Sequence, residues 1–201
     1  QAYHGRAQHL RSVHERREAI ASVVADVQRT NVVLEAAGFP VPLVTGAGSG
    51  SFSHEATSGV FGELQAGSYL FMDADYAANE ADPAQPRFEH ALFVKSQVMS
   101  ASHVGEPRAV VDAGHKSHAV DSGLPKLWAG HQADWRYVSC SDEHGILHGT
   151  ALPALGDTVW LIPGHCDPTV NLHDHMIGVR GGLTHGVVEQ IIRVDARGAL
   201  T

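Results

Sequence analysis

The sequence lacks the features that accompany secretion, membrane insertion or nucleic-acid binding. Only Cys140 and Cys166 are cysteines among 201 residues, too few for a disulfide framework and typical of a reducing compartment. No apolar run approaches the roughly 20 residues that a membrane helix needs, and the first residues do not resemble a signal peptide. The net charge is −8, without any lysine- or arginine-rich run. We therefore expect a cytoplasmic protein that binds neither nucleic acid nor membrane.

Histidine and glycine are the abundant residues, with 15 and 21 copies. The glycines predict many turns and close backbone approaches, whereas most of the histidines are expected to be exposed and without a chemical role. A hydrophobic content of 43% is enough for one large domain or two small ones.

Residues 1–80 show the alternation of helices and strands that is typical of a parallel β/α fold. The capping-box pair Ser12 and Glu15 predicts a helix over residues 12–37, which Gly38 would end in a left-handed conformation. A strand is predicted at residues 41–45, followed by the glycine loop, which we define as residues 46–51, and by a short helix. A second strand is predicted at residues 68–72.

Residues 81–91 are polar and read as a linker, and residues 92–201 as a mostly antiparallel β domain. Predicted strands in this domain lie at residues 92–100, 109–112, 134–138, 157–162, 176–180 and 187–194. Gly181 and Gly182 predict a hairpin turn between the last two strands. No long amphipathic helix is predicted after residue 80.

His165 and Asp167 form the most informative chemical pattern. If this segment is extended, both side chains point the same way while Cys166 points away, because strand side chains alternate. An imidazole and a carboxylate make an open site for a divalent metal, completed by water or substrate. The alternative from spacing alone is a loop histidine hydrogen-bonded to an aspartate.

The glycine loop is a second candidate site, because small residues let backbone amides converge on a phosphate, with hydroxyl donors from Thr45, Ser49 or Ser51. A flexible turn is the alternative. The loop lacks the Gly-Lys-Ser/Thr of a P-loop. His4 and His9 lie just before the first helix, where β/α barrels place catalytic groups, although both could be ordinary loop histidines.

Six segments taken together resemble the D-threonine aldolases, in the same order along the chain. They are QAYHG at residues 1–5, TGAGSGSF at 45–52, LQAGSYLFMDADY at 64–76, VVDAG at 110–114, SDEHG at 141–145 and PGHCDPTVNL at 163–172. That family belongs with the alanine-racemase-like, fold-type III pyridoxal-phosphate enzymes.

The resemblance implies the C-terminal part of a pyridoxal-phosphate-binding β/α barrel at residues 1–80 and a β domain that carries metal ligands. It implies that Tyr3 contacts the cofactor ring, that His9 is the base for the β-hydroxyl proton, and that His165 and Asp167 bind a divalent metal. Manganese is expected first, with magnesium, cobalt or zinc as alternatives. The residues implied around the cofactor phosphate are Thr45, Gly48, Ser49, Gly67, Ser68 and Tyr69.

The implied reaction is the metal-dependent retro-aldol cleavage of a β-hydroxy-D-amino acid, such as D-threonine to glycine and acetaldehyde. The alternatives are an aldolase for 3-hydroxy-D-aspartate, a D-serine dehydratase, a racemase, or a non-catalytic metal-binding fragment. Asp167 favours the aldolases, since the related dehydratases carry a cysteine two residues after the histidine. The resemblance also suggests a homodimer.

The sequence departs from the family pattern in two respects. The family's Schiff-base lysine lies on an early barrel strand, so we expect it in an N-terminal segment outside this chain, whose only lysines are Lys95, Lys116 and Lys126. His173 and His175 lie where aldolases often carry bulky aromatic residues, and they could instead be additional neighbours of the metal.

Overall fold

The computed structural model describes residues 1–83, 85–128 and 134–199. It divides into two compact units, Gln1–Ala91 and Leu92–Thr201, and residues 81–91 are part of the first. Within the described residues, no helix combines the length and the apolar character required to cross a membrane.

The first unit contains a long helix, α1 (Val13–Ala36), which begins and ends where the sequence predicts. The hydroxyl of Ser12 accepts a hydrogen bond from the amide of Glu15 while the Glu15 carboxylate accepts one from the Ser12 amide, so the capping box is present. Gly38 has φ of +85° and ends the helix. Ile20 and Val27 are buried, whereas Leu34, near the end of the helix, is exposed.

Two short parallel strands follow, β1 (Thr45–Gly46) and β2 (Glu63–Leu64), with helix α2 (Phe52–Thr57) between them. The parallel pairing of β1 and β2 agrees with the predicted β/α order. The strand predicted at residues 41–45 is wrong over most of its length, because Pro42 has no amide hydrogen to donate and Leu43 is half exposed.

The strand predicted at residues 68–72 is also wrong. Ser68–Leu70 forms a 3-10 helix, the Met72 amide donates to the Ser68 carbonyl, and Met72 has φ of +51°. A left-handed residue and a local turn bond cannot be part of an extended strand. The strand that pairs with β1 lies earlier, at β2.

The second unit is built around a six-stranded antiparallel sheet. Its strands are β3 (Val94–Ser102), β4 (Arg108–Val111), β5 (Lys126–Leu127), β6 (Arg136–Cys140), β7 (Gly145–His148) and β8 (Thr158–Ile162). The spatial order is β5-β8-β3-β4-β7-β6, and β5 also contacts β6, so the sheet curls towards a barrel. Its core consists of Val98, Ala109, Val111, Ala113, Trp135, Tyr137, Leu147, Val159 and Leu161.

All six strands predicted in this unit are present, with bounds that differ by one or two residues. β5 and β7 are absent from the prediction because two- and four-residue strands give too short an alternation to recognise. The predicted hairpin is formed by β9 (His175–Arg180) and β10 (Val187–Arg193), which are antiparallel. Its loop is longer than a two-residue turn, because the last residue of β9, Arg180, pairs with Val187. Gly181 and Gly182, which begin the loop, both have positive φ.

Candidate functional site

The loops that follow β1 and β2 lie side by side, as the carboxyl ends of parallel strands require. The Gln65 amide donates to the Gly46 carbonyl over 2.8 Å. The Tyr69 amide donates to the Ser49 hydroxyl, also over 2.8 Å. The structure therefore brings the two predicted groups of phosphate-binding residues together at one edge of the strand pair, Thr45 to Ser49 on one side and Gly67 to Tyr69 on the other.

Tyr3 lies beside the glycine loop. The Ala2 amide donates to the Thr45 carbonyl over 2.8 Å, which aligns residues 1–4 with β1. A Cβ atom added to Gly48 would lie 3.1 Å from Cε2 of Tyr3, so the ring lies against this glycine. Tyr3 is half exposed. A half-exposed aromatic ring next to a glycine loop suits a flat, phosphorylated ligand.

Gln8 is hydrogen-bonded to the glycine loop, a role that the sequence did not indicate. Its Oε1 accepts a hydrogen bond from the Gly50 amide at 2.9 Å, and its Nε2 donates to the Ser51 hydroxyl at 2.7 Å. Ser51 in turn donates to Oε1 of Glu55. Burial raises the pKa of Glu55 and outweighs the opposing effect of the hydrogen bond from Ser51. Gln8, Ser51 and Glu55 are all buried, so water does not compete for the hydrogen bonds that join the loop to Gln8.

His9 ends the 3-10 helix Gly5–His9 and is oriented by Asp75. Its Nδ1 lies 2.5 Å from Oδ2 of Asp75, whose other oxygen is paired with Arg11. Burial raises the pKa of Asp75. The hydrogen bonds from Arg11 and His9 lower it by a larger amount, so the net shift is downward and the carboxylate stays ionised. With Nδ1 donating to Asp75, Nε2 of His9 has a lone pair that can accept a proton.

In the second unit, His165 and Asp167 are close, but the extended conformation assumed for them is wrong. His165 is extended, whereas Asp167 lies in the first turn of a short helix, α3 (Cys166–Val170). The helix is capped by Asn171, whose amide donates to the carbonyls of Asp167 and Thr169. Nε2 of His165 nevertheless lies 3.9 Å from Oδ2 of Asp167. The prediction that Cys166 points away from the pair is wrong, because its buried thiol donates to Oδ1 of Asp167 over 3.2 Å.

This pair fits a divalent cation by the chemistry of its donors. Metal–ligand distances of about 2.0–2.2 Å mean that two donors can share a cation when they approach to within about 4 Å. Among the residues that the structure describes, no group of three or more histidine, cysteine or acidic side chains is placed to hold a metal. Two protein donors would leave the remaining positions to water or substrate, as in an open, catalytic type of site.

The loop around Asp121 packs directly against the His165 segment. Gly164 has no room for a Cβ atom because the Gly123 carbonyl lies against it, and Gly123 itself has φ of +110°. The buried Thr169 hydroxyl donates to the His165 carbonyl at 2.6 Å and accepts from the Ala119 amide at 3.1 Å. This close approach brings Oδ2 of Asp121 to within 2.6 Å of Nδ1 of His165.

Burial raises the pKa of Asp121, but the hydrogen bond and charge of His165 act in the opposite direction and leave it lower than usual. Asp121 is 44 residues from His165 in the sequence, so no local spacing connects them. Gln8 and Asp75 likewise act through contacts that are distant in sequence, although Asp75 lies within one of the segments that resemble the aldolases.

The two histidines considered as additional neighbours of the metal lie in different surroundings. Nε2 of His173 donates to the Ser117 carbonyl over 2.8 Å. His175 is the exposed first residue of β9, where it is paired with Arg193. The three lysines all belong to the second unit, where Lys116 pairs with Glu143 and Lys95 lies over the ring of Trp160.

Comparison with known proteins gives consistent matches. Residues 91–179 match the family described as "Putative serine dehydratase domain". The chain is 43% identical to 3-hydroxy-D-aspartate aldolase from Paracoccus denitrificans (strain Pd 1222), over 98% of its own length and 50% of that protein. It is 41% identical to D-threonine aldolase from Arthrobacter sp., over 98% of its own length and 51% of that protein.

The crystal structure of D-threonine aldolase from Filomicrobium marinum superposes with a TM-score of 0.92 and 44% identity, covering 100% of this chain and 54% of that one. The chain thus spans about half the length of the curated relatives it matches. Over the segment that it spans, the chain is similar in sequence to D-threonine aldolase and 3-hydroxy-D-aspartate aldolase, and similar in fold to a D-threonine aldolase.

Proposed function

We propose that this chain is part of a pyridoxal-phosphate- and metal-dependent enzyme that cleaves β-hydroxy-D-amino acids between Cα and Cβ. The observation that carries the proposal is the identity of more than 40% to two aldolases over nearly the whole chain. The placement of the two phosphate-type loops at one strand edge supports it. For D-threonine the products would be glycine and acetaldehyde.

The first unit would form part of the cofactor-binding β/α barrel. Tyr3 would contact the cofactor ring. The residues around the phosphate, partly through backbone amides, would be Thr45, Gly48, Ser49, Gly67, Ser68 and Tyr69. When bound, pyridoxal phosphate supplies an electron sink for the charge that carbon–carbon cleavage leaves on Cα. The Schiff-base lysine would lie outside these 201 residues, because the chain matches only half of its relatives and its lysines all lie in the second unit.

His9 would act as the base, taking the β-hydroxyl proton at Nε2. The support for this role is the short contact between its Nδ1 and Asp75, which keeps the ring in the tautomer with an accepting Nε2. His165 and Asp167 would hold a divalent cation, manganese first among the candidates, which would supply Lewis acidity towards the β-hydroxyl. We also propose that the whole enzyme is a homodimer, because the sequence resembles the D-threonine aldolases.

The experiment is an assay of the intact protein on D-threonine after metal removal and after readdition of Mn²⁺. We expect glycine and acetaldehyde, with turnover that depends on the metal. His165→Ala should lower turnover at least about 100-fold, because a metal's Lewis acidity supplies several kcal/mol and each ~1.4 kcal/mol is tenfold. His185→Ala, the same change on the exposed hairpin loop, is the matched control. Full metal-dependent turnover in His165→Ala would remove the metal role.

The second candidate is cleavage of 3-hydroxy-D-aspartate, favoured by the 43% identity to that aldolase. Its products would be glycine and glyoxylate, and the ratio of kcat/KM for the two substrates decides between the candidates. A dehydratase would instead release ammonia and a 2-oxo acid, so detection of 2-oxobutyrate from D-threonine would contradict the proposed cleavage.

A further inference from the structure

The two ring nitrogens of His165 face two different carboxylates. Nδ1 lies 2.6 Å from Oδ2 of Asp121, which is hydrogen-bond distance. Nε2 lies 3.9 Å from Oδ2 of Asp167, which is too far for a hydrogen bond but suits two ligands of one cation. Because the nitrogens are on opposite sides of the ring, Asp121 cannot bind the cation that Nε2 would bind.

The contact with Asp121 dominates on the Nδ1 side. The Ser122 hydroxyl is the other group near Nδ1, at 3.4 Å, where a hydrogen bond is weak. The side chain of His165 is only 26% exposed, so water competes poorly for this nitrogen, whereas Asp121 is about half exposed. The tight packing of Gly164 against Gly123 fixes the distance between the two loops.

We infer that Asp121 is a positioning residue, which binds no metal and instead holds Nδ1–H of His165 so that Nε2 presents its lone pair to the cation. The inference rests on the proposed metal site and extends it. A carboxylate on the far nitrogen selects one tautomer, fixes the orientation of the ring and makes the ligating nitrogen more basic. Loss of such a partner lowers metal affinity by about 10- to 100-fold.

The test measures metal binding and tautomer, independently of turnover. Mn²⁺ is titrated into the metal-free intact protein, and free Mn²⁺ is followed by electron paramagnetic resonance. Asp121→Ala should weaken binding about 10- to 100-fold. Asp121→Asn should weaken it less, since an amide oxygen still accepts the hydrogen bond. The matched control is Glu106→Gln, which removes a carboxylate that lies 3.0 Å from Nδ1 of another histidine, His148. The Mn²⁺ affinity of this variant should stay within about twofold of the parent, because both contacts of His165 are left in place.

The second readout is the ¹⁵N spectrum of the histidines in the metal-free protein, with the His165 signal identified by its loss in His165→Ala. The spectra are recorded at a pH where the ring is neutral, and there the parent should show Nε2 unprotonated and Nδ1 protonated. Asp121→Ala should give a mixture of tautomers. A merely structural role would leave this signature unchanged.

The two proposals fail differently. If His165→Ala abolishes Mn²⁺ binding while Asp121→Ala changes neither affinity nor tautomer, the positioning role is wrong and the metal site stands. If His165→Ala binds Mn²⁺ as tightly as the parent, the metal site is wrong and the role of Asp121 falls with it.

Discussion

Replacing Gly48 by alanine would add one methyl group at the point where the glycine loop touches the first unit's buried network. The new Cβ would lie 2.5 Å from Oε1 and 2.7 Å from Cδ of Gln8, closer than Cβ atoms approach other heavy atoms. Gly48 is not among the residues with positive φ, so its backbone conformation suits alanine and the cost is purely steric.

The magnitude follows from what must move. Overpacking in a closed site costs about 1–3 kcal/mol. If the Gln8 carboxamide shifts instead, the Gly50 amide loses its 2.9 Å hydrogen bond, and an unsatisfied buried donor also costs about 1–3 kcal/mol. The two costs are alternatives, so we expect the free energy of unfolding to fall by about 1–3 kcal/mol whichever group moves.

The assay is denaturant unfolding of the cofactor-free protein, with a parallel measurement of cofactor affinity by absorbance. Gly67→Ala is the matched control in the same proposed phosphate site. Nothing lies within 4 Å of a Cβ atom at Gly67, and its φ of −123° is ordinary, so it should lose less than about 1 kcal/mol. Cofactor affinity should fall at least about tenfold in Gly48→Ala, since tenfold is only ~1.4 kcal/mol.

A second variant tests whether Gln8 is the cause. In a Gln8→Ala background the side chain that blocks the new methyl group is absent, so the additional cost of Gly48→Ala should drop below about 1 kcal/mol. If that cost stays the same in both backgrounds, or if Gly48→Ala and Gly67→Ala are equally stable, the proposed contact between Gln8 and the loop is refuted.

Two further predictions concern pH. Because the net shift of Asp75 is downward, the stability it provides is present above its ordinary pKa of 3.8 and is lost as the pH falls through the lower folded value. Asp75→Asn should therefore lose about 1–3 kcal/mol in thermal unfolding at pH 7, and this loss should shrink progressively as the pH is lowered below 3.8. Asp26→Asn, in an exposed ion pair, should lose less than about 1 kcal/mol. A loss in Asp75→Asn that is independent of pH would contradict this. Burial, aided by the charge of His115, lowers the pKa of His118 from 6.5 to about 4. As the pH drops between these values, the unfolded chain binds the proton and the folded protein does not, so the free energy of unfolding falls. In urea titrations, His118→Asn should reduce the slope of the free energy of unfolding against pH by about 1 kcal/mol per pH unit. His103→Asn, a change at an exposed histidine, should leave that slope unchanged. Equal slopes in the two variants would contradict the role of His118.

Much of the local structure could be predicted because its causes are local. The Ser12–Glu15 capping box and Gly38 determine both ends of α1 within a few residues of chain. Alternating side chains predicted most of the strands in the second unit. The glycine loop was recognised as a candidate because small residues directly follow a strand, and its proximity to Gly67–Tyr69 follows from parallel pairing.

The sequence by itself determined which residue types are available and roughly where helices and strands begin and end. Only the tertiary structure decided that Gln8 supports the glycine loop, that Asp75 orients His9, and that Asp121 faces Nδ1 of His165. Each of these contacts joins residues more than 40 positions apart, and such pairs are selected by packing between loops that carries no local signal. The helical turn at Asp167 has the same origin, because Thr169 bonds both to the preceding His165 carbonyl and to the distant amide of Ala119.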